Sequence, residues 1–127
     1  MIDHVSIGVR DLARAAAFYD AVLASLGMAQ VRARETRIGY GKNYPEFWIN
    51  ARPSRPTTAP SDGLHICLRA PSTGAVDAFH AAAVQAGGTS DGAPGVRPEY
   101  SDRYYAAFVV DPDGNKIEAV TFLPSAS

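Results

Sequence analysis

The sequence predicts an α+β fold of two paired βαβββ modules, which form a cupped mixed sheet with the helices on its outer face. Three observations predict it. Asp3-His4-Val5-Ser6-Ile7 is echoed 61 residues later by Leu64-His65-Ile66-Cys67-Leu68, and the same shift carries Phe18 onto Phe79 and Gly27 onto Gly88. Each half opens with a period-two segment holding a histidine, followed by a period-3.6 segment that ends at glycine. A stretch with three prolines, Arg52 to Asp62, separates the halves. The expected organisation is one domain over 1–127, with module one at about 1–51, a linker at about 52–62 and module two at about 63–123.

The first strand is expected over Ile2 to Val9, with Val5, Ile7 and Val9 on one face and His4, Ser6 and Gly8 on the other. Asp11 is placed to cap a helix. Leu12, Ala15, Ala16, Tyr19, Val22, Leu23 and Leu26 form its apolar stripe, and Gly27 ends it. Strands follow at 28–34, 37–41 and Glu46 to Ala51. The second half repeats the order. Leu64 to Arg69 is a strand that turns His65, Cys67 and Arg69 to one face. Ser72 caps a helix with the stripe Val76, Phe79, Ala82, Ala83 and Ala86, and Gly87-Gly88 ends it. A short strand near 88–91 leads into a long Gly- and Pro-rich loop, Asp91 to Asp102. Tyr104 to Val110 and Asn115 to Phe122 then read as strands joined by the turn Asp111-Pro112-Asp113-Gly114.

The formal net charge is −1 and no run of like charge occurs, so neither a nucleic-acid nor an anionic-membrane surface is expected. No apolar run approaches a membrane-spanning length. The single cysteine, Cys67, rules out an intrachain disulfide. With no signal-peptide pattern at the N-terminus, a cytoplasmic location is the simplest expectation.

His4 and His65 carry the chemical signal. A lone strand histidine is usually structural, but two at matching repeat positions, both opposite the apolar face, point to a shared site. Glu118 lies mid-strand between Ile117 and Ala119, where it is either exposed on an edge or paired. Burying its charge unpaired would cost several kcal/mol, and a divalent cation would remove that cost. Two histidines and one carboxylate form a facial triad able to hold Fe(II) and similar divalent ions. A solvated edge-strand glutamate is the plain alternative. Strand alternation also puts Ser6, Trp48, Asn50, Cys67, Arg69, Tyr104 and Phe108 on the presumed concave face. Trp48 and Phe108 would wall a pocket there. Arg69 requires an anion, either a substrate carboxylate or Glu118 or Glu46. Cys67 reads as a small buried filler, and Tyr100 and Arg103 lie in a loop able to border the pocket. The third histidine, His80, reads as a helix-surface residue.

These residues resemble the vicinal oxygen chelate superfamily, the glyoxalase, bleomycin-resistance and extradiol-dioxygenase group. The resemblance lies in Asp3-His4-Val5-Ser6-Ile7-Gly8-Val9-Arg10-Asp11-Leu12, Phe18-Tyr19, Gly63-Leu64-His65-Ile66 and Phe108-Val109-Val110-Asp111-Pro112-Asp113-Gly114-Asn115-Lys116-Ile117-Glu118. It implies paired βαβββ modules and a divalent metal such as Zn, Ni, Mn or Fe, with His4, His65 and Glu118 at the ligand positions. It also implies a homodimer with a small-molecule substrate; the site forms either within one chain or across the dimer, where His4 of one copy would meet His65 and Glu118 of the other. Glyoxalase I carries a fourth ligand, a glutamate, where this chain has Trp48, with Glu46 two residues away. Fosfomycin-modifying relatives carry a tyrosine where this chain has Phe108. Two functions are therefore expected to compete. One is a metal-dependent lyase, isomerase, transferase or dioxygenase acting on a small oxygen-bearing substrate. The other is a metal-free binding protein that sequesters a small molecule, as bleomycin-resistance proteins do.

Overall fold

The computed structural model describes residues 1–56 and 62–125; Thr57 to Ser61 of the expected linker lie outside the described residues. The order is β1 (Val5–Val9), α1 (Leu12–Ala24), β2 (Ala29–Ala33), β3 (Arg37–Gly41), β4 (Phe47–Ala51), then β5 (Ile66–Arg69), α2 (Thr73–Gln85), β6 (Thr89–Val96), β7 (Tyr104–Val110) and β8 (Lys116–Phe122). The two helices are related by the same 61-residue shift as the histidine strands. Two four-stranded mixed sheets result, ordered β1-β4-β3-β2 and β5-β8-β7-β6. In each, the first strand pairs in parallel with the last, and the remaining pairs are antiparallel.

The helices form where capping and apolar spacing coincide. Asp11 accepts from the Arg14 amide at 3.1 Å and Ser72 from the Ala75 amide at 3.1 Å, each satisfying one orphan donor of a first turn. Helix α1 buries Ala15, Phe18, Tyr19, Val22 and Leu23, and α2 buries Val76, Phe79 and Ala83. Each helix packs on one face of its own sheet, and the two helices touch each other. The resulting core also takes in Tyr40, Phe47, Ile49, Val109, Ile117 and Ala119. Fully burying each large side chain stabilises by about 1.5–3 kcal/mol. The opposite face of each sheet stays open, and it carries His65, Cys67 and Arg69 in module two. Among the described residues no helix is long and apolar enough to cross a membrane.

The repeat breaks at two points. Gly27 ends α1 with φ 80°, but the left-handed residue after α2 is Gly87, at φ 102°, rather than the sequence-aligned Gly88. Gly88 serves close approach instead: a Cβ there would lie 2.9 Å from a Phe18 ring carbon and 3.0 Å from the Val110 carbonyl. Strand β6 is also longer than expected and takes in Asp91 to Val96 from the predicted loop. It tolerates Gly92, Pro94 and Gly95 because it is an edge strand whose register shifts between Ser90 and Gly95.

The Asp111–Asn115 turn does more than reverse the chain. Asp111 Oδ1 accepts from the Asp113 and Asn115 amides at 2.9 and 2.8 Å. Its Oδ2 accepts from the Tyr19 hydroxyl at 2.6 Å and from Asn115 Nδ2 at 2.8 Å. Gly114 supplies the required positive φ, 91°. Asp113, itself buried, accepts from the Arg10 amide and Nε at 3.0 and 2.9 Å and from Arg14 at 3.3 Å. Asn115 Nδ2 and Arg55 both donate to the Gly8 carbonyl, at 3.1 and 2.6 Å. The turn of module two is thus the polar joint to β1 and α1 of module one.

Candidate functional site

On the open face of the second sheet, β5, β8 and β7 set side by side the cross-strand row Cys67–Glu118–Phe108. Glu118 is only 1% exposed, because β8 is a central strand flanked on both sides. That removes the solvated edge-strand reading. Both of its oxygens are engaged. Oε1 lies 2.8 Å from His65 Nε2, and Oε2 accepts from the Tyr104 hydroxyl at 2.5 Å. His65, by contrast, keeps 48% of its side chain exposed. Its ring meets Phe108 edge-on at 6.1 Å.

His65, Tyr100, Ser101, Tyr104, Glu118 and Phe122 line a cavity of about 440 Å³. Tyr104 sits edge-to-face with both Tyr100 (5.0 Å) and Phe122 (5.4 Å). Burial, together with the hydrogen bond to Glu118, pushes the Tyr104 phenol above the ordinary tyrosine range. Ser101 and Phe122 escaped the sequence reading. Phe122 was within its reach, since period two from Glu118 through Val120 places it on the same face; Ser101 belongs to a turn that no periodicity marks.

Three expected site residues lie elsewhere or act differently. His4 is exposed and bound at Nδ1 to Asp3, 2.7 Å away, and makes no hydrogen bond or ion pair with Glu118. It does line a second groove of about 440 Å³ together with His65, Glu46, Cys67, Ile2 and Leu64. Arg69 has no ion pair with Glu118 or Glu46; its guanidinium stacks 4.7 Å over the Phe122 ring. Trp48 stands on the other sheet, opposite Ser6 and Gly39, with Arg37 stacked 5.2 Å over its ring. Phe108 carries Arg97 over its face at 5.3 Å.

Cys67 is exposed rather than a buried filler. Its sulfur nevertheless faces Glu118 and lies 4.0 Å from the Tyr104 hydroxyl. Partial desolvation, then the Glu118 charge, push its thiol up to about 12, so it is no activated nucleophile. His80 bridges α2 to β6 through Ser90 at 2.8 Å, and Arg103 Nε donates to the Leu123 carbonyl at 2.6 Å.

Imidazole and carboxylate are donors suited to a divalent cation, and the structure brings two of them, His65 and Glu118, to a cavity wall. Among the described residues of one chain, no three His, Cys, Asp or Glu side chains stand close enough to hold a metal ion. The third predicted ligand, His4, faces outward.

The model of the Glyoxalase/Bleomycin resistance protein/Dioxygenase superfamily matches residues 1–119. A glyoxalase/bleomycin resistance protein from Albidiferax ferrireducens T118 is similar, at 36% identity and a TM-score of 0.80, over 93% of this chain and 96% of its own. A glyoxalase/bleomycin resistance protein/dioxygenase family enzyme from Burkholderia phytofirmans PsJN shares the fold. It is 21% identical with a TM-score of 0.72, over 96% of this chain and 98% of its own. A bleomycin-binding protein complexed with bleomycin shares it too, at 24% identity and a TM-score of 0.61, over 91% and 93% of the two chains. No protein with a curated description matches. The chain belongs to the Glyoxalase/Bleomycin resistance protein/Dioxygenase superfamily.

Proposed function

We propose that the protein is a cytoplasmic, metal-dependent enzyme acting on a small oxygen-bearing substrate, with its site completed across a homodimer. The observation that carries this reading is the 2.8 Å contact between His65 and the almost fully buried Glu118 at the wall of an open cavity. His65 and Glu118 of one copy and His4 of a second would hold the ion. The exposure of His4 supports that arrangement, as does the groove where it lies beside His65, Ile2 and Leu64. Ile2 and Leu64 are 79% and 67% exposed, which is unfavourable for large apolar side chains unless a second copy covers them. A divalent ion there supplies Lewis acidity toward adjacent substrate oxygens. Tyr100, Tyr104 and Phe122 would pack the substrate's apolar part and exclude water. With Trp48 in place of a fourth carboxylate ligand, lyase, transferase or dioxygenase chemistry suits the site better than glutamate-based isomerisation.

A second reading, a metal-free protein that sequesters a small molecule, is favoured by one observation: both Glu118 oxygens are already paired, to His65 and Tyr104, without a cation. Metal analysis decides between them. Protein purified without chelator or a metal-charged resin is expected to carry, or to take up on reconstitution, close to one equivalent of a divalent ion per site. Less than about a tenth of an equivalent after reconstitution would overturn the metal-dependent reading. His65→Ala is expected to abolish uptake.

A further inference from the structure

We infer that Tyr104 is a positioning residue for Glu118: its hydroxyl holds one carboxylate oxygen, so that only the other is presented to a cation beside His65. The inference rests on the metal-dependent reading above. Its geometric basis lies in the register of β7 and β8. Glu118 stands opposite Phe108, whereas Tyr104 stands opposite Phe122, four residues along each strand. At about 3.3 Å per residue, that offset is spanned only if the Tyr104 side chain runs along the sheet. The pair between them, Ala106 and Val120, is small enough to leave the ring room. Tyr100 and Phe122 fix the ring from two sides by edge contacts at 5.0 and 5.4 Å. The hydroxyl thereby ends 2.5 Å from Oε2, while Oε1 faces His65 at 2.8 Å.

A carboxylate anchored in this way cannot rotate to chelate through both oxygens. It offers a single donor and leaves further coordination positions to substrate and water. Partners that orient a metal ligand typically contribute 10–100-fold to metal affinity. Tyr104→Phe keeps the ring and its packing and removes only the anchoring hydroxyl.

The test is Co(II) titration, read both as affinity by chelator competition and as the visible absorption of the bound ion. Wild type, Tyr104→Phe, Glu118→Gln, the double variant and Tyr105→Phe are compared. Tyr105 is a control for loss of a tyrosine hydroxyl away from the site, because its hydroxyl donates to Asp77. Tyr104→Phe is expected to weaken Co(II) at least tenfold and to change its absorption bands as the freed oxygen joins the coordination. Tyr105→Phe should stay within about twofold of wild type. In the Glu118→Gln background, Tyr104→Phe should have no further effect. Wild-type affinity in Tyr104→Phe overturns the positioning role and leaves the metal reading standing. Weakened binding with unchanged bands also overturns it, as does an undiminished effect in the double variant. Failure of the wild-type protein to bind Co(II) overturns both.

Discussion

Asp111→Ala should be among the most damaging single substitutions in this protein, although it lies outside the candidate site. The carboxylate is 4% exposed and accepts four hydrogen bonds, from the Tyr19 hydroxyl, two backbone amides and Asn115 Nδ2. Alanine leaves the Tyr19 hydroxyl, itself wholly buried, without a partner. An unsatisfied buried donor costs about 1–3 kcal/mol. Losing the remaining bonds loosens the turn that holds Asn115 against Gly8 and Asp113 against Arg10, and each such bond contributes about 0.5–1.5 kcal/mol net. Partial replacement by water offsets some of this, so a loss of about 3–5 kcal/mol is expected, near the upper end for a single substitution. For a chain of this size that corresponds to roughly 10–20 °C in melting temperature. Thermal and urea unfolding followed by circular dichroism measure it directly. A melting temperature within about 3 °C of wild type would refute the reasoning, because the inter-module joint would then contribute little.

Two further predictions concern titration. Burial and the Asp111 carboxylate raise the Tyr19 phenol well above its ordinary value of 10.0. The folded chain therefore holds this proton at a pH where an unfolded tyrosine has released it. Its stabilisation is complete below about pH 10 and is lost as pH rises toward the folded value, with a slope of up to about 1.4 kcal/mol per pH unit. Urea midpoints between about pH 9 and 11.5 should fall less steeply in Tyr19→Phe, and parallel slopes would count against the buried Tyr19–Asp111 bond. The Cys67 thiol, pushed up from 9.0 to about 12, should hold roughly a thousandfold less thiolate at pH 8 than a free cysteine. Iodoacetamide should accordingly label it at least a hundredfold more slowly than free thiol; labelling at the free-thiol rate would disprove the combined effect of desolvation and the Glu118 charge.

Much of the fold was legible because it rests on local signals. The caps Asp11 and Ser72, the helical stripes and the period-two strands each depend on residues close in sequence. The misreadings share a different cause, which is that position within the sheet is a tertiary property. Glu118 was readable as an edge residue until β8 proved to lie between β5 and β7. The Gly and Pro of Thr89–Val96 predict a partial loop because they weaken strands in general, although edge strands accept them. Likewise, Arg69 faced the expected side, yet alternation could not show that its cation would stack on Phe122 rather than meet a carboxylate. The long-range bond from Tyr104 to Glu118 spans a register offset of four residues, which no alternation rule encodes.

The strand registers also explain why the repeat does not yield a symmetric site. In module one the cross-strand row is Ser6–Trp48–Gly39; in module two it is Cys67–Glu118–Phe108. Trp48 and Glu118 are therefore true positional counterparts, as are Gly39 and Phe108. The bulk has moved from one strand to its neighbour. A Cβ on Gly39 would lie 2.7 Å from Pro45 Cβ and 3.0 Å from the Trp48 ring, so Pro45 and the indole together fill the space that a β3 side chain would need. In module two, Phe108 takes up that volume and frees the β8 position for a smaller carboxylate. Exchanging Trp48 for glutamate would thus not copy the Glu118 environment, because Pro45 still crowds Gly39 and no β3 ring stands beside the new carboxylate. The asymmetry is a packing decision shared by two strands, and at this row position it places a carboxylate in module two alone. Any ion shared between the modules would then draw imidazole from both, but from this row a carboxylate from module two only.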